Sequence, residues 1–434
     1  MADQISELPK ELRAAKPTRA RAVMVLLLFV TVVINYLDRS SLSIAGPLIA
    51  RDLKLNPLQM GVVFSAFAWA YAPLQLPGGV LVDRVRPRIL YPVAIILWSV
   101  TAALHSLAAT LGQFLCLRVL LGTCEVPAFP LNNRIITTWL PERERASAVG
   151  FYTSGQYVGL AFLTPLLVLV QQSFGWRGMF LGTGLLGIVW GVAFFVLYAE
   201  PRESRRANPA ELDLIREGGG QIDWQDRAVA GRAPVAIGRA FRSRKLWGLF
   251  IGQSCVTATS WFFLTWFPTY LVRYRHIDFI KVGFMATVPF LAAYCGVLLS
   301  GFLSDYLVRR GYSVGAARKI PIVTGLLLAT SIIGANYVSS PALIIAFLAL
   351  AFFGNGMAAI TWSLVSTIAP VNLIGVVGGV FNFCGTSTGI VVPLVIGALI
   401  SGTNFAPALV FVGALGLIGA CSFLFVVGPV ERIT

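Results

Sequence analysis

Twelve long apolar stretches recur along these 434 residues, near 22–49, 59–82, 89–111, 113–140, 145–172, 176–199, 246–275, 279–308, 317–337, 341–369, 374–402 and 405–429. Each is as long as the roughly 20 residues that a helix needs to cross a bilayer. Lipid offers the backbone no hydrogen-bond partners, so such stretches fold as helices that satisfy themselves. With 57% of residues hydrophobic and 12% charged, the chain lies outside the range of water-soluble domains. The expected fold is an all-α membrane protein of twelve transmembrane helices. The first 21 residues are polar and basic, with no apolar run of their own, so a signal peptide is not expected there.

A net charge of +15 could suggest nucleic acid, but its distribution argues for topology instead. With the N-terminus placed in the cytoplasm, 25 of the 34 Lys and Arg fall in inner segments and 6 in outer loops. The other three, Arg39, Arg118 and Arg134, lie within apolar stretches. Basic residues stay inside, which puts both termini in the cytoplasm and makes anionic lipid a secondary partner. The layout is a tail (1–21), a six-helix bundle (22–199), a cytoplasmic connector (200–245), a second bundle (246–429) and a short tail (430–434). The connector carries one helix signal, with Asn208 as N-cap, Pro209 in the first turn and Gly218 to Gly220 as the stop.

The six cysteines lie in apolar stretches without CxxC spacing, so buried packing is their expected role. The two histidines, His105 and His276, stand outside any His/Glu cluster, and no metal site is expected. No nucleophile–base pair or phosphate-cradling glycine loop appears either, so an enzyme is not expected.

The first apolar stretch carries an acid and a base side by side, Asp38 and Arg39. Charge at membrane depth costs roughly 2.5–3.5 kcal/mol per residue even on insertion scales, and it marks substrate or proton paths. A purely structural Asp–Arg pair is the alternative. The fourth stretch adds Arg118 and Glu125, seven residues and therefore about 10 Å apart along one helix face. They are too far apart to pair tightly with each other. Counting along both helices brings Asp38 and Glu125 to a similar level.

The halves echo each other. Gly79 and Asp83, followed by Arg84, Arg86 and Arg88, are matched by Gly301 and Asp305, followed by Arg309 and Arg310. Glycine lets two helices touch, the acid can cap or pair, and the bases hold the loop inside. A repeated six-helix unit is the pattern of transporters that rock about a central site.

On the Gly79–Arg84 motif and its copy at Gly301–Asp305, nearly the whole chain resembles the major facilitator superfamily. Arg86 and Pro87 depart from the glycine-led basic run usual there. Further segments resemble the anion:cation symporter family: Asn35–Arg39, Phe64–Tyr71, Arg118–Pro130, Trp139–Ala146, Thr265–Leu271 and Gly378–Phe383. Within it, bacterial proton-coupled carriers of galactonate, glucarate and hexuronates look most similar. The resemblance implies two pseudo-symmetric six-helix bundles in the cell's inner (plasma) membrane, with the proton as coupling ion and no cofactor. It makes Asp38 and Glu125 the protonatable acids, and it ties Arg39 and Arg118 to those acids and to a substrate carboxylate. Tyr71, Gln156 and Asn382 match polar site positions, and Trp362 a cavity aromatic. Thr386 stands where a second asparagine is common. Asp83, Arg84, Arg145 and Asp305 match positions that govern gating.

The residue types agree with these roles. Guanidinium offers a fixed fork for a carboxylate, and Tyr71, Gln156, Asn382 and Thr386 can serve sugar hydroxyls. An acid near both an apolar cavity and a base can load and release a proton. The expected function is proton-coupled uptake of a sugar acid by a monomer, through alternating access. Uptake of an aromatic or dicarboxylic acid, or export by the same fold, are the alternatives. Gln156 and Asn382 could instead only join helices, and Trp362 could simply pack. A drug:proton antiporter is disfavoured because Gly159 and Pro165 are separated, and a membrane sensor because no extra soluble domain is visible.

Overall fold

The structure is a computed structural model that describes residues 16–222, 242–370 and 374–431. Most of the 1–21 tail, residues 223–241 of the connector and residues 432–434 of the last tail lie outside the described residues. Apart from one isolated bridge between Ser401 and Asn404, the regular elements described are helical. In the first half they are α1 (Ala20–Asp52), α2 (Pro57–Tyr71), α3 (Gln75–Arg84), α4 (Pro87–Leu104), α5 (Leu111–Glu125), α6 (Ala128–Trp139) and α7 (Glu142–Leu197). A short helix, α8 (Pro209–Glu217), follows. The second half holds α9 (Arg244–Thr265), α10 (Phe279–Met285), α11 (Thr287–Arg309), α12 (Val314–Ala329), α13 (Pro341–Met357), α14 (Trp362–Ile368), α15 (Ile374–Leu399) and α16 (Ala406–Cys421).

Among the described residues, nine helices are long and apolar enough to cross a membrane. They differ from the twelve expected stretches for local reasons. The fifth and sixth share α7, whose 56 residues would run about 84 Å if straight, but its backbone turns at Gly175 (φ 69°, ψ 175°). The second is split at Ala72–Leu74 into α2 and α3. The seventh, α9, begins with Arg244 and Lys245 and contains Gln253, Ser254, Thr257 and Ser260, which dilute its apolar character. Starts follow capping chemistry: Asn56 and Gln59 form a reciprocal box before α2, as Thr110 and Gln113 do before α5. The fourth stretch breaks between α5 and α6 at Val126 and Pro127, where proline removes a backbone donor.

In the first half α1 and α4 pack along α7, and α2 packs on α5. In the second, α11 and α12 pack on α13, and α9 on α15. The halves join where α2 meets α15 and α7 meets α11. Gly61 presses on the Pro393 carbonyl, where an added Cβ would stand 2.5 Å from the oxygen. The Ser43 hydroxyl donates to Thr265 O at 2.9 Å, and that of Thr287 to Ala161 O at 2.8 Å. These contacts lie toward the face opposite Ala20, Arg244 and Glu431.

Toward the face that carries those residues, three glycines stand in open space. Nothing lies within 4 Å of a Cβ built on Gly79, Gly301 or Gly379. The helix contact expected at Gly79 and Gly301 is therefore not made in this conformation. Asp305 and Arg84 are exposed. The Asp83 side chain is also exposed, 3.6 Å from Arg134, whose guanidinium donates to Val82 O. The cysteines correct another expectation: Cys116, Cys295 and Cys421 are exposed on the outer surface of the helices, Cys124 and Cys384 half-buried, and only Cys255 buried.

The connector helix α8 forms as its sequence signals indicate. Asn208 Oδ1 accepts from Glu211 N at 2.9 Å, and Gly218 ends the helix. It is fastened to the first half. Arg21 bridges Glu144 (2.7 Å) and the fully buried Glu211 (2.9 Å). Arg145 donates to Leu140 O, Thr137 O and Gly219 O at 3.2, 3.3 and 2.7 Å. Arg145 thus ties the start of α7 to the end of α6 and to the connector.

One glycine sets the position of the charged helix. A Cβ on Gly122 of α5 would stand 2.2 Å from Phe67 O of α2, so only glycine permits this approach. Arg118 and Glu125, one turn to either side of Gly122, are thereby brought to the Phe67 ring and to Arg39 respectively. Gly122→Val is expected to lower stability by about 1–3 kcal/mol through overpacking, seen as a reduced unfolding temperature in detergent. An unchanged unfolding temperature would show that α5 can shift freely.

Candidate substrate site

Asp38 and Arg39 are neighbours in sequence but not partners in space. Consecutive helix residues point about 100° apart. Arg39 reaches from α1 to Glu125 on α5, with Nη2 and Nε donating to Glu125 Oε2 at 2.8 and 3.0 Å. Glu125 is fully buried and its Oε1 has no hydrogen-bond partner. The Arg39 guanidinium lies 4.6 Å from the ring centre of Phe67, 5.0 Å from Tyr71 and 5.3 Å from Tyr36. Aromatic faces attract a cation most strongly when water is excluded. The structural Asp38–Arg39 pair considered from sequence is therefore replaced by a pair between helices.

Arg118 differs. It is buried, its guanidinium lies 5.2 Å from the Phe67 ring centre, and its Nε has no partner. It makes no ion pair or hydrogen bond among the described residues. Arg39 and Arg118 both line a small cleft between the halves, together with Leu42, Phe64, Phe67, Trp261, Leu264 and Thr265. Mostly apolar walls with a few converging polar groups are the usual form of a small-molecule site. A buried cation without a counter-charge is costly, and an anion in this cleft would supply one.

Asp38 points to neither arginine. Both of its oxygens are buried without hydrogen-bond partners. Asn35, one turn earlier on α1, has an unpartnered amide, and Trp98 on α4 an unpartnered indole N–H. Asp38 and Glu125 are close enough to interact electrostatically.

Of the residues expected from sequence, Asp38, Arg39, Tyr71, Arg118 and Glu125 come together in the first half. The others stand on different elements, outside the walls of this cleft. Gln156 on α7 and Asn382 on α15 are half-buried. Trp362, at the start of α14, is 49% exposed and meets Phe381 edge-on at 4.9 Å. The Thr386 hydroxyl donates to Asn382 O at 2.8 Å, which leaves it as an acceptor only. The second half's contribution to the cleft is Trp261, Leu264 and Thr265. Sequence reasoning had Thr265 and Phe67 inside recognised segments but gave them no role, and missed Trp261 and Trp98 among apolar neighbours. Among the described residues, no group of three or more His, Cys, Asp and Glu could hold a metal.

A sequence model of the Major Facilitator Superfamily matches residues 28–393. The chain is 52% identical over 424 residues to the D-galactonate transporter of Escherichia coli O6:H1, covering 97% of this chain and 98% of that one. It is 39% identical over 431 residues to a probable galactarate/D-glucarate transporter of Escherichia coli strain K12, covering 96% and 97%. The crystal structure of a D-xylose–proton symporter shares the fold, with a TM-score of 0.71 over 94% of this chain and 98% of that one at 15% identity. These relatives are transporters rather than enzymes. An all-helical membrane-spanning body, a cleft between its halves and a family match over most of its length agree: the chain belongs to the Major Facilitator Superfamily of integral membrane transporters.

Proposed function

We propose that this protein takes up a sugar acid, an aldonate or aldarate before a hexuronate, together with protons. The observation that carries this reading is the separation of charges at the cleft. Arg39 is paired with Glu125, whereas Arg118 faces the cleft without an ion pair and Asp38 is buried without one. The names of the sugar-acid relatives support the choice of substrate class.

In this reading the substrate carboxylate lands on Arg118. Its hydroxyls reach Tyr71 and, as the halves close, Gln156, Asn382 and Thr386 beside Trp362. Asp38 and Glu125 carry the protons. A buried carboxylate without a partner costs several kcal/mol, so Asp38 is the group that gains most from holding one. No cofactor is needed. The chain crosses the inner membrane twelve times as a monomer among lipids, with bundles at 22–199 and 246–429 and both termini in the cytoplasm. The face that carries Ala20, Arg244 and Glu431 is then the cytoplasmic one, and the open space at Gly79, Gly301 and Gly379 supports an inward-open conformation. Asp83, Arg84 and Asp305 rim that mouth and meet across it when the protein opens outward, while Arg145 keeps the first bundle rigid.

The test is a pH electrode in a weakly buffered suspension of proteoliposomes. Adding galactonate or glucarate should alkalinise the outside, and Asp38→Asn should abolish that signal while preserving exchange of labelled for unlabelled substrate. Silence of the wild-type protein across aldonates, aldarates and hexuronates would reject the assignment.

A further inference from the structure

Three buried side chains on α1 and α4 share an unusual condition. Both Asp38 oxygens, the Asn35 amide and the Trp98 indole N–H all lack hydrogen-bond partners, and each residue is 3% exposed or less. Buried polar groups are rarely left unpaired, and those that are need a reason. Asn35 sits one turn before Asp38, so the two share a face of α1. Trp98 comes from α4, which packs on α7 as α1 does, and its indole lies close enough to the Asp38 carboxyl to act on it. Two buried donors without a well-formed hydrogen bond thus accompany one such acid, and none of the three residues lines the cleft.

We propose that Trp98 and Asn35 are positioning residues for proton release, the donors that receive the Asp38 carboxylate once its proton has left. This rests on the proton-coupled reading above and adds the means by which a buried acid can let go. Arg39 cannot serve, because Glu125 occupies it. The charged groups on the neighbouring elements are Arg39 on α1 itself and Arg118 and Glu125 on α5, and Glu125 adds a like charge that opposes ionisation. Without a donor the carboxylate would stand bare. With the indole N–H and the amide turned onto it, the anion is held by charge-assisted hydrogen bonds, the stronger kind. The proton passes to water at the open face, and the substrate carboxylate plays no part in that step. Removing a donor favours the protonated acid, so release should require a more alkaline medium.

The test is infrared difference spectroscopy of the purified protein across pH, following the carboxylic C=O band that disappears in Asp38→Asn. In Trp98→Phe the pH at which this band is half-lost should rise by about one unit, the size expected for one hydrogen bond to a charged group. Trp98→His, which restores a ring N–H, should return it toward the wild-type value. Asn35→Leu should shift it in the same direction and decides the matter if Trp98→Phe does not fold. An unchanged midpoint in a folded variant overturns the proposal. Because the band is read without transport, wild-type vesicles that fail to couple protons would defeat the functional reading separately.

Discussion

Arg118→Gln is expected to weaken binding of the transported sugar acid at least 30-fold, and uptake with it, while the unfolding temperature stays within a few degrees of wild type. Truncating one partner of a buried charge pair costs about 2–5 kcal/mol, and every 1.4 kcal/mol is tenfold in affinity. The loss should appear nearly in full because Arg118 makes no ion pair or hydrogen bond among the described residues and rests only against the Phe67 ring. Stability should be spared for the same reason: in the empty protein this cation is a burden rather than a support. Titration calorimetry with galactonate and a thermal melt in the same detergent separate the two effects. Strong binding by the variant would place the carboxylate elsewhere. A collapse in stability would mean that the side chain holds the fold.

Arg39→Gln should show the reverse pattern. Its guanidinium donates twice to one oxygen of Glu125 and sits among three aromatic rings. Removing it leaves Glu125 buried and uncompensated, which typically costs about 3–5 kcal/mol. The double variant Arg39→Gln/Glu125→Gln should recover much of that loss, since two neutral amides can pair. A double-mutant cycle on unfolding free energy reads this directly. Additive losses would mean that the pair adds nothing beyond its separate residues.

The contrast between these arginines shows where sequence reading succeeds and where it stops. That four charges lie at membrane depth follows from their positions in apolar stretches. That Arg118 and Glu125 cannot pair with each other follows from helical rise alone. Which base takes Glu125 does not follow, because it depends on how α5 approaches α2, and Gly122 sets that approach. The connector helix was legible because Asn208, Pro209 and Gly218 act locally. The open space around Gly79 and Gly301 was not, since the motif tells which residues could touch and not whether they do in a given conformation. Trp98 left no trace for a different reason: an indole among leucines and isoleucines looks like packing until the acid opposite it is seen to be unpaired.

Helix α2 touches both ends of the problem. At Gly61 it presses against the Pro393 carbonyl of the other half, and at Phe67, six residues on, it presents a ring to both guanidiniums. The interval is about 9 Å of continuous helix, with no break before Ala72. The outer seal and the charge site are therefore mounted on one stiff rod. In the proposed cycle, opening that seal moves the ring past two cations, and discharging the cations loosens the hold of α1 and α5 on that ring. In that cycle gate and ligand read each other mechanically, through an aromatic that is neither acid, base nor sugar-binding group.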